Sequence, residues 1–323
     1  MANNVLQYAS VFQSELDKAA VAGATSGWME LNDKLVKYEG GAEVKIPQLD
    51  MDGLADYDRQ NGFVEGTINL TWQTKTMTMD RGRQFTFDEH EVNDTNFVLT
   101  ASSVMGEFQR TKVVPEIDAY RYSTIAALAM AKDRAVYGYT PAESTILKQL
   151  YTDIASVQDV VGDDTPLVIT MATSVAALFD LNTNLSRSVS VTDFQQGGVN
   201  LKIKAINGQH PIIRAGSGRL KTAYQFNDGS TTNQTKGGFT PAEGALDINW
   251  IICPRNAPIA VSRTDEVRIF DPKTYQKKRA WAVDYRKYHD LWIMDNKMPS
   301  ILVNLKQAKP AAKPEGENGG QGT

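Results

Sequence analysis

The spacing of apolar residues changes along the chain, and each change of period marks an element. Between Val5 and Ala22 apolar residues recur every three or four positions, which predicts an amphipathic helix with one narrow apolar stripe. Phe12 and Leu16 lie on that stripe. Glycines follow it closely, so residues 1–42 are predicted to form an N-terminal arm whose stripe needs a partner surface.

A long β-hairpin is predicted over residues 43–80. Glu43 to Leu49 form its first strand, and Gly66 to Met79 form a second strand with alternating β-forming residues. At about 3.3 Å per residue the second strand would reach roughly 45 Å, whereas a compact chain of this length has a radius of gyration of about 20 Å. The hairpin therefore either folds back across the body or projects onto a neighbouring subunit, because two strands alone are only marginally stable.

The segment between these strands is polar and acidic. It resembles a calcium-binding loop only superficially, because its glycine comes too early and no glutamate closes it. We interpret it as a solvated turn, or as one that meets basic groups on a neighbour. Together with one tryptophan of the second strand and two residues of the arm, its charged residues are the candidate intersubunit contacts. These candidates are Asp50, Asp52, Asp56, Asp58, Arg59, Trp72, Phe12 and Leu16.

Two helices are predicted next. The first runs from about 95 to 135, with a cap at Asp94 or Thr95. Pro115 should bend it near Val114, or divide it into two stacked helices, because proline lacks a backbone donor. Thr140-Pro141-Ala142-Glu143 has the sequence of a capping box and begins the second helix. The buried face of that helix is predicted to comprise Ile146, Leu147, Leu150, Ile154 and Val157.

Shorter elements are predicted in the remaining chain. Residues 215–243 are rich in Gly, Ser, Thr and Asn and predict a flexible surface loop, which includes a second Thr-Pro-Ala-Glu copy. The tail from 307 to 323 has no apolar face and is predicted to be disordered. The other predictions are strands at 167–169, 201–206, 211–214, 279–288, 289–294 and 300–305, and a helix at 174–181.

Composition and charge narrow the class of function. The 323 residues are 41% hydrophobic, enough for a large core, but no apolar run is long enough to span a bilayer and no signal segment is evident. The net charge of −4 comes without a clustered basic footprint, since Lys277-Lys278-Arg279 leads directly into an apolar strand. Any contact with nucleic acid is therefore expected to be weak and non-specific.

Candidate chemistry is sparse. The three histidines lack metal-ligand spacing, and no phosphate-binding glycine loop occurs. His289-Asp290 could mimic a base and its orienting partner, but neighbouring strand residues point to opposite faces, which favours a polar pair at a strand end. The single cysteine, Cys253, sits in an apolar run and is expected to be a buried, inert thiol. Neither an enzyme nor a bound cofactor or metal is predicted.

Two stretches carry a specific resemblance. Residues 105–121, MGEFQRTKVVPEIDAYR, resemble the spine-helix segment of phage capsid proteins. The stretch from Ile248-Asn249-Trp250-Ile251-Ile252 through Asp284-Tyr285-Arg286-Lys287-Tyr288-His289-Asp290 resembles the return of the axial domain into the peripheral domain. Together with the order of elements, the chain resembles the major capsid proteins of tailed bacteriophages, whose fold is shared with encapsulins and the herpesvirus capsid floor.

The resemblance implies an α+β fold with an N-terminal arm, an extended β-hairpin loop, a long spine helix, a peripheral domain and an axial domain. It implies that the hairpin lies over an adjacent subunit. A lysine–asparagine isopeptide crosslink, known in some members, is not carried over, because no local motif matches. The implied divisions are 1–42 for the arm, 43–80 for the hairpin, 81–139 with 262–306 for the peripheral domain including the spine helix 95–135, 140–261 for the axial domain, and 307–323 for the tail.

The resemblance also implies partners. Hexamers and pentamers of the chain would form an icosahedral virion capsid around double-stranded DNA, assembled in the host bacterial cytoplasm without a membrane. A separate scaffolding protein, a portal and decoration proteins would join it. Two alternatives stay open: an encapsulin-like compartment shell with protein cargo, and a β-rich enzyme or carbohydrate-binding domain that uses Trp and Asp in a cleft.

Overall fold

The structure is a computed structural model that describes residues 23–60, 62–88, 103–182, 189–196, 199–270, 275, 277 and 279–310. The predicted arm helix with Phe12 and Leu16, the predicted cap at Asp94 or Thr95, and the tail after residue 310 lie outside the described residues. Within the described chain no helix is both long and apolar enough to cross a membrane.

Strands dominate the described chain. The helices are α1 (Val114–Ala131), α2 (Glu143–Val161) and α3 (Thr173–Leu181), with a π-helical turn at Gln109–Val113 and 3-10 turns at Gly27–Leu35, Ser217–Arg219 and Asp295–Ser300. The strands are β1 (Lys37–Gly40), β2 (Glu43–Met51), β3 (Ile68–Thr76), β4 (Met79–Asp88), β5 (Ala135–Val136), β6 (Leu167–Ala172), β7 (Val189–Gln196), β8 (Val199–Ile206), β9 (His210–Ala215), β10 (Tyr224–Phe226), β11 (Phe239–Pro241), β12 (Ile248–Pro254), β13 (Pro258–Phe270), β14 (Ala280–Ile293) and β15 (Leu302–Leu305).

A mixed sheet with the order β5-β15-β12-β6-β9-β8-β7 forms the centre of the main core. Every residue of β6 and β12 is buried, because apolar side chains cover both faces of these inner strands. This double burial explains why both strands are nearly continuous apolar runs in the sequence. The predicted strand at 167–169 is confirmed and continues to Ala172, while the edge strand β7 was not predicted.

A second sheet, β13-β14-β4, packs against the helical segment that is described from residue 103 onward. Its middle strand β14 pairs with both neighbours, in register from Ala280↔Asp88 to His289↔Met79 on the β4 side. The prediction of two separate strands at 279–288 and 289–294 was therefore wrong, since β14 is continuous through this junction and β13 accommodates it with an irregularity between Ser262 and Thr264. The long partner β13 was missed, because its second half carries charged residues that hide the strand pattern.

Pro115 distorts the long helix without ending it. Residues 103–108 are α-helical, the turn at Gln109–Val113 is π-helical, and α1 continues beyond it. The proline ring would crowd the carbonyl four residues earlier, and a wider turn there accommodates it. The described helix ends at Ala131 rather than 135, with Lys132 as its C-cap.

The helix α2 forms as predicted, but the capping box does not. The N-cap is Ala142, in an extended conformation and without a side-chain cap, and Thr140 and Pro141 lie outside the helix. The predicted buried face is confirmed for four of its five residues, and Leu147 is only partly buried. The predicted helix at 174–181 is confirmed as α3, which begins one residue earlier.

Residues 215–243 contain ordered structure where a flexible loop was predicted. The strands β10 and β11 pair with each other, so the second Thr-Pro-Ala-Glu copy contributes two residues to a short strand. Aromatic packing supplies the reason, because the Phe226 ring lies 5.8 Å from Tyr120 of α1 and the Tyr224 ring 5.3 Å from Phe239. These contacts hold the segment on the helix.

Candidate interaction surface

The predicted hairpin is present as an antiparallel pair. Register runs from Glu43↔Thr76 to Met51↔Ile68, and β1 adds a third strand beside β2. At its far end the Asp52 amide donates to the Thr67 carbonyl at 3.2 Å, and the Thr67 amide donates to the Asp52 carboxylate at 2.7 Å. Asp52 therefore closes the hairpin where the ladder ends.

The second strand of the hairpin is shorter than predicted. It ends at Thr76, and the chain enters β4 at Met79 instead of continuing straight. Met77 turns into an apolar cluster, while the Thr78 amide donates to the Asp290 carboxylate at 2.8 Å. Nine residues at about 3.3 Å each give roughly 30 Å, not the 45 Å expected from sequence.

The base of the hairpin is fixed to the body by one face. Val44 and Ile46 of β2 are buried together with Ile259 and Val261 of β13. Gln73, which pairs with Ile46 across the ladder, donates from its side-chain amide to the Asp295 carboxylate at 3.2 Å. The hairpin thus has an inner face that rests on the molecule near its base.

The opposite face of the hairpin is apolar and open to solvent. Ile68, Leu70 and Trp72 alternate along β3 and share this face, and Met51 pairs with Ile68 across the ladder. Their exposures are 70% for Ile68, 60% for Leu70, 60% for Met51 and 37% for Trp72. We call these four residues the hairpin stripe. An exposed apolar stripe of this kind is a candidate interaction surface.

The hairpin tip, residues 52–67, is also exposed, except for the half-buried Gly62 and for Asn61, which lies outside the described residues. The rings of Tyr57 and Phe63 are in tilted contact with their centroids 4.8 Å apart, and the Asp58 carboxylate accepts a hydrogen bond from the Gln60 backbone amide at 2.8 Å. Leu54 projects fully into solvent. The tip is therefore a partly structured loop with both apolar and acidic groups on its surface.

The structure places most of the candidate contact residues on this one hairpin. Asp52 and Asp58 shape the tip, Asp56 and Arg59 are exposed on it, and Trp72 lies in the stripe under Lys37, whose ammonium is 4.4 Å from the ring centroid. Asp50 is placed by its backbone pairing with Asn69, and Phe12 and Leu16 lie outside the described residues. The rest of the stripe was missed, although the alternation that revealed Trp72 also contains it. Those missed residues are Met51, Ile68 and Leu70.

Buried polar groups elsewhere serve packing. His289 and Asp290 lie inside β14 rather than at a strand end, and both contact Tyr120, whose hydroxyl donates to the Asp290 carboxylate. Burial pushes the pKa of His289 well below its usual value, and burial raises the pKa of the Cys253 thiol to about 12. Cys253 is thus the buried, inert thiol that was predicted. No group of described residues is placed to hold a metal ion.

The comparisons with known proteins bear on the fold. No family model matches the sequence, and no curated protein is found to be similar to it. Solved structures do share its architecture. The capsid structure of cyanophage P-SCSP1u has a TM-score of 0.53 at 6% identity, over 83% of this chain and 84% of that one.

Two more structures show the same likeness. The mature capsid of bacteriophage PhiM1 gives a TM-score of 0.52 at 9% identity, over 82% of its own chain and 83% of this one. The virus-like particle from Pyrococcus furiosus gives 0.51 at 11% identity, over 92% of this chain and 99% of that chain. The chain therefore has the fold of tailed-phage capsid proteins, which confirms the fold class expected from the sequence.

Proposed function

We propose that this chain is a structural subunit that assembles with copies of itself into the shell of a tailed-phage head. The observation that carries the proposal is the exposed hairpin stripe on a hairpin whose buried contacts with the body, among the described residues, lie near its base. The shared fold with phage capsid structures supports it.

The energetics of the hairpin stripe favour a covered state. Burying a large apolar side chain is worth about 1.5–3 kcal/mol, so four exposed ones represent a substantial driving force for association. In a monomer these four side chains would leave an aggregation-prone apolar surface on a two-stranded hairpin, which is only marginally stable by itself. Packing the stripe on an adjacent subunit buries the apolar surface and supports the hairpin. In a closed shell every subunit contributes this favourable free energy of burial.

The finer assignments belong to the same proposal. Hexamers and pentamers would enclose double-stranded DNA, with a separate scaffolding protein, a portal and decoration proteins as partners. The net charge of −4 suits a container that contacts its DNA weakly. The axial domain would centre on the seven-stranded sheet, and it would then include β15, because β15 pairs with β12. The arm and the hairpin keep the divisions given above, and the peripheral domain keeps its division without β15.

Shortening the hairpin tests the proposal. Replacing residues 52–67 by a two-residue Asn-Gly turn keeps the ladder, since Met51 and Ile68 are already paired. The variant should fold with an unchanged circular dichroism spectrum and fail to form stable shells in electron micrographs. Shells of normal yield and size would contradict the proposed role of the hairpin, and a wild-type protein that forms neither shells nor rings would contradict the proposed function.

An encapsulin-like compartment is the second candidate. It is favoured by the virus-like particle from Pyrococcus furiosus, which this chain matches over 99% of that chain's length. The two candidates differ in cargo. Particles purified after nuclease treatment should retain protected double-stranded DNA if the chain forms a phage head, and should retain a specific protein if it forms a compartment.

A further inference from the structure

A cavity of about 520 Å³ opens between the sheet β13-β14-β4, the long helix near its π-helical turn, and the turn that joins β10 to β11. One wall is aromatic, because the Phe108 ring lies 5.0 Å from the Phe85 ring and 6.1 Å from the Tyr285 ring, measured between centroids. Val113 and Ile117 extend that wall with apolar side chains. A volume of several hundred Å³ beside an apolar wall is typical of a site for a small molecule.

Two arginines of β4 line the cavity and differ in how they are engaged. The Arg81 guanidinium donates to the Glu116 carboxylate at 2.7 Å and to the Asn227 carbonyl at 2.8 Å, so it joins the sheet to the helix and to the β10–β11 turn. Arg83 has no ion pair within the described chain, and its hydrogen bond to the Thr235 carbonyl is long at 3.4 Å. The Arg83 guanidinium is therefore available to an anion.

The cations at the cavity exceed the anions that could neutralise them. Lys112 and Lys236 are exposed at its rim and, like Arg83, form no ion pair in the part of the chain that the structure describes. The acidic side chains of the lining are engaged elsewhere, Glu116 with Arg81, Asp80 with Arg286, and Asp228 with the amides of Ser230 and Thr231. The rim therefore attracts small anions.

A buried polar side chain lies at the floor of the cavity. His289 is 2% exposed, and its Nδ1 atom makes no hydrogen bond with any described residue. Burial, together with the charges of Arg121 and Lys287, holds the pKa of His289 well below its usual value, so the ring is neutral at pH 7. A neutral imidazole has one donor and one acceptor for a polar ligand atom. A buried polar atom without a partner costs free energy that such a ligand would recover.

We propose that the cavity binds a nucleoside monophosphate, which joins a flat ring with polar edge atoms to a phosphate monoester. The base would pack on the aromatic wall beside Phe108, with His289 hydrogen-bonded to its edge. The phosphate would lie at the rim, where Arg83 offers two parallel donors and the two lysines add charge. This inference goes beyond the proposed function, because every binding group belongs to one copy of the chain.

Calorimetric titration of the full-length protein at low salt tests the class of ligand. The probes are adenosine monophosphate and thymidine monophosphate, a purine and a pyrimidine nucleotide, with adenosine and inorganic phosphate as partial ligands. At least one nucleotide should bind at one site per chain, and each partial ligand should bind it at least about tenfold more weakly, because it lacks half of the contacts. Saturable binding by neither nucleotide would overturn the proposal. Inorganic phosphate binding as tightly as the nucleotides would reduce the site to a simple anion site and would also overturn it.

Substitutions test the assigned residues. Arg83→Gln should weaken nucleotide binding by about tenfold, whereas Arg263→Gln removes an exposed arginine of β13 outside the cavity and should leave it unchanged. K112Q/K236Q should weaken it as well, with K132Q/K148Q as the matched pair of exposed lysines away from the cavity. Phe108→Leu should weaken binding of the nucleotide but not of inorganic phosphate, since only the base meets the ring. Wild-type affinity in R83Q and in F108L would overturn the assignment.

A thymidine oligonucleotide without a terminal phosphate separates this site from a surface for nucleic acid. Its phosphates are diesters with one charge each, and its bases are joined in a chain, so it should not displace the bound nucleotide. Displacement at equal nucleotide concentration would assign Arg83 and the two lysines to single-stranded nucleic acid, and the small-molecule site would be wrong.

Discussion

Glu30 shows how single residues fix the segment around the 3-10 turn Gly27–Leu35. Its carboxylate lies 2.5 Å from the Arg121 guanidinium and 3.9 Å from the Lys287 ammonium. Next to it, Asp118 accepts the Ser26 amide at 3.0 Å and also binds the Arg219 guanidinium at 2.9 Å. Because Asp118 and Arg121 are almost fully buried on α1, this network ties the segment to the long helix by charges that have few other partners.

The pKa of Glu30 makes the network sensitive to acid. Burial opposes its ionisation, but Arg121 and Lys287 outweigh burial and lower its pKa from 4.5 to about 2. The ionised form therefore stabilises the fold fully above pH 4.5, and this contribution disappears as the pH falls towards 2. Since 37% of the side chain is exposed, solvent screens it, and we expect Glu30→Gln to lower the free energy of unfolding at pH 7 by about 1–2 kcal/mol.

Urea unfolding at pH 7 and pH 3, followed by tryptophan fluorescence, checks the prediction for Glu30. The difference between wild type and E30Q should shrink at pH 3, because the wild-type carboxylate loses part of its advantage there. Glu243→Gln is the matched control, as Glu243 is exposed and unpaired among the described residues, and it should show little difference at either pH. A difference for E30Q that stays constant with pH would contradict the mechanism.

At the scale of elements, Gly82 permits the close pairing of β4 with β14. A Cβ atom at this position would lie 2.8 Å from the Tyr285 carbonyl oxygen, a backbone atom that cannot easily move. We therefore expect Gly82→Ala to destabilise the protein by about 1–3 kcal/mol through overpacking of the sheet. Thermal unfolding measures this destabilisation, with Gly53→Ala as the control, because the Cβ added there meets no atom and the melting temperature should not change. Equal melting temperatures for the two variants would contradict the prediction for Gly82.

The elements that could be predicted from sequence are those whose pattern depends on one kind of neighbour. The inner strands β6 and β12 are buried on both faces and so are continuous apolar runs, and α2 has one apolar face against one core. The prediction of a flexible loop at 215–243 was wrong, because this segment is ordered by aromatic contacts with Tyr120, which lies about a hundred positions earlier in the chain. The end of the strand at Thr76 was not predicted for the same reason. The Asp290 carboxylate, which accepts a hydrogen bond from the Thr78 amide, is distant in sequence.

At the scale of the whole molecule, the hairpin could be predicted as a candidate site but its two faces could not. The alternation of Ile68, Leu70 and Trp72 predicts that one face is apolar. The alternation does not predict whether the apolar face of β3 packs on the body or is open to solvent. That depends on the other face of the hairpin, whose residues Val44 and Ile46 pack against β13.

The exposure of the hairpin stripe leads to a prediction about assembly. Ile68→Lys places a charge where a neighbouring subunit should pack, so the variant should remain a folded subunit with wild-type melting temperature and fail to form shells. Asn69→Lys, one position along the same strand and on the opposite face, makes the same charge on an exposed residue and should assemble far better. Sedimentation velocity gives the fraction assembled, and calorimetry gives the melting temperature. If both variants assembled equally, the stripe would not be an interface; if only I68K lost stability as a monomer, the stripe would pack within its own chain.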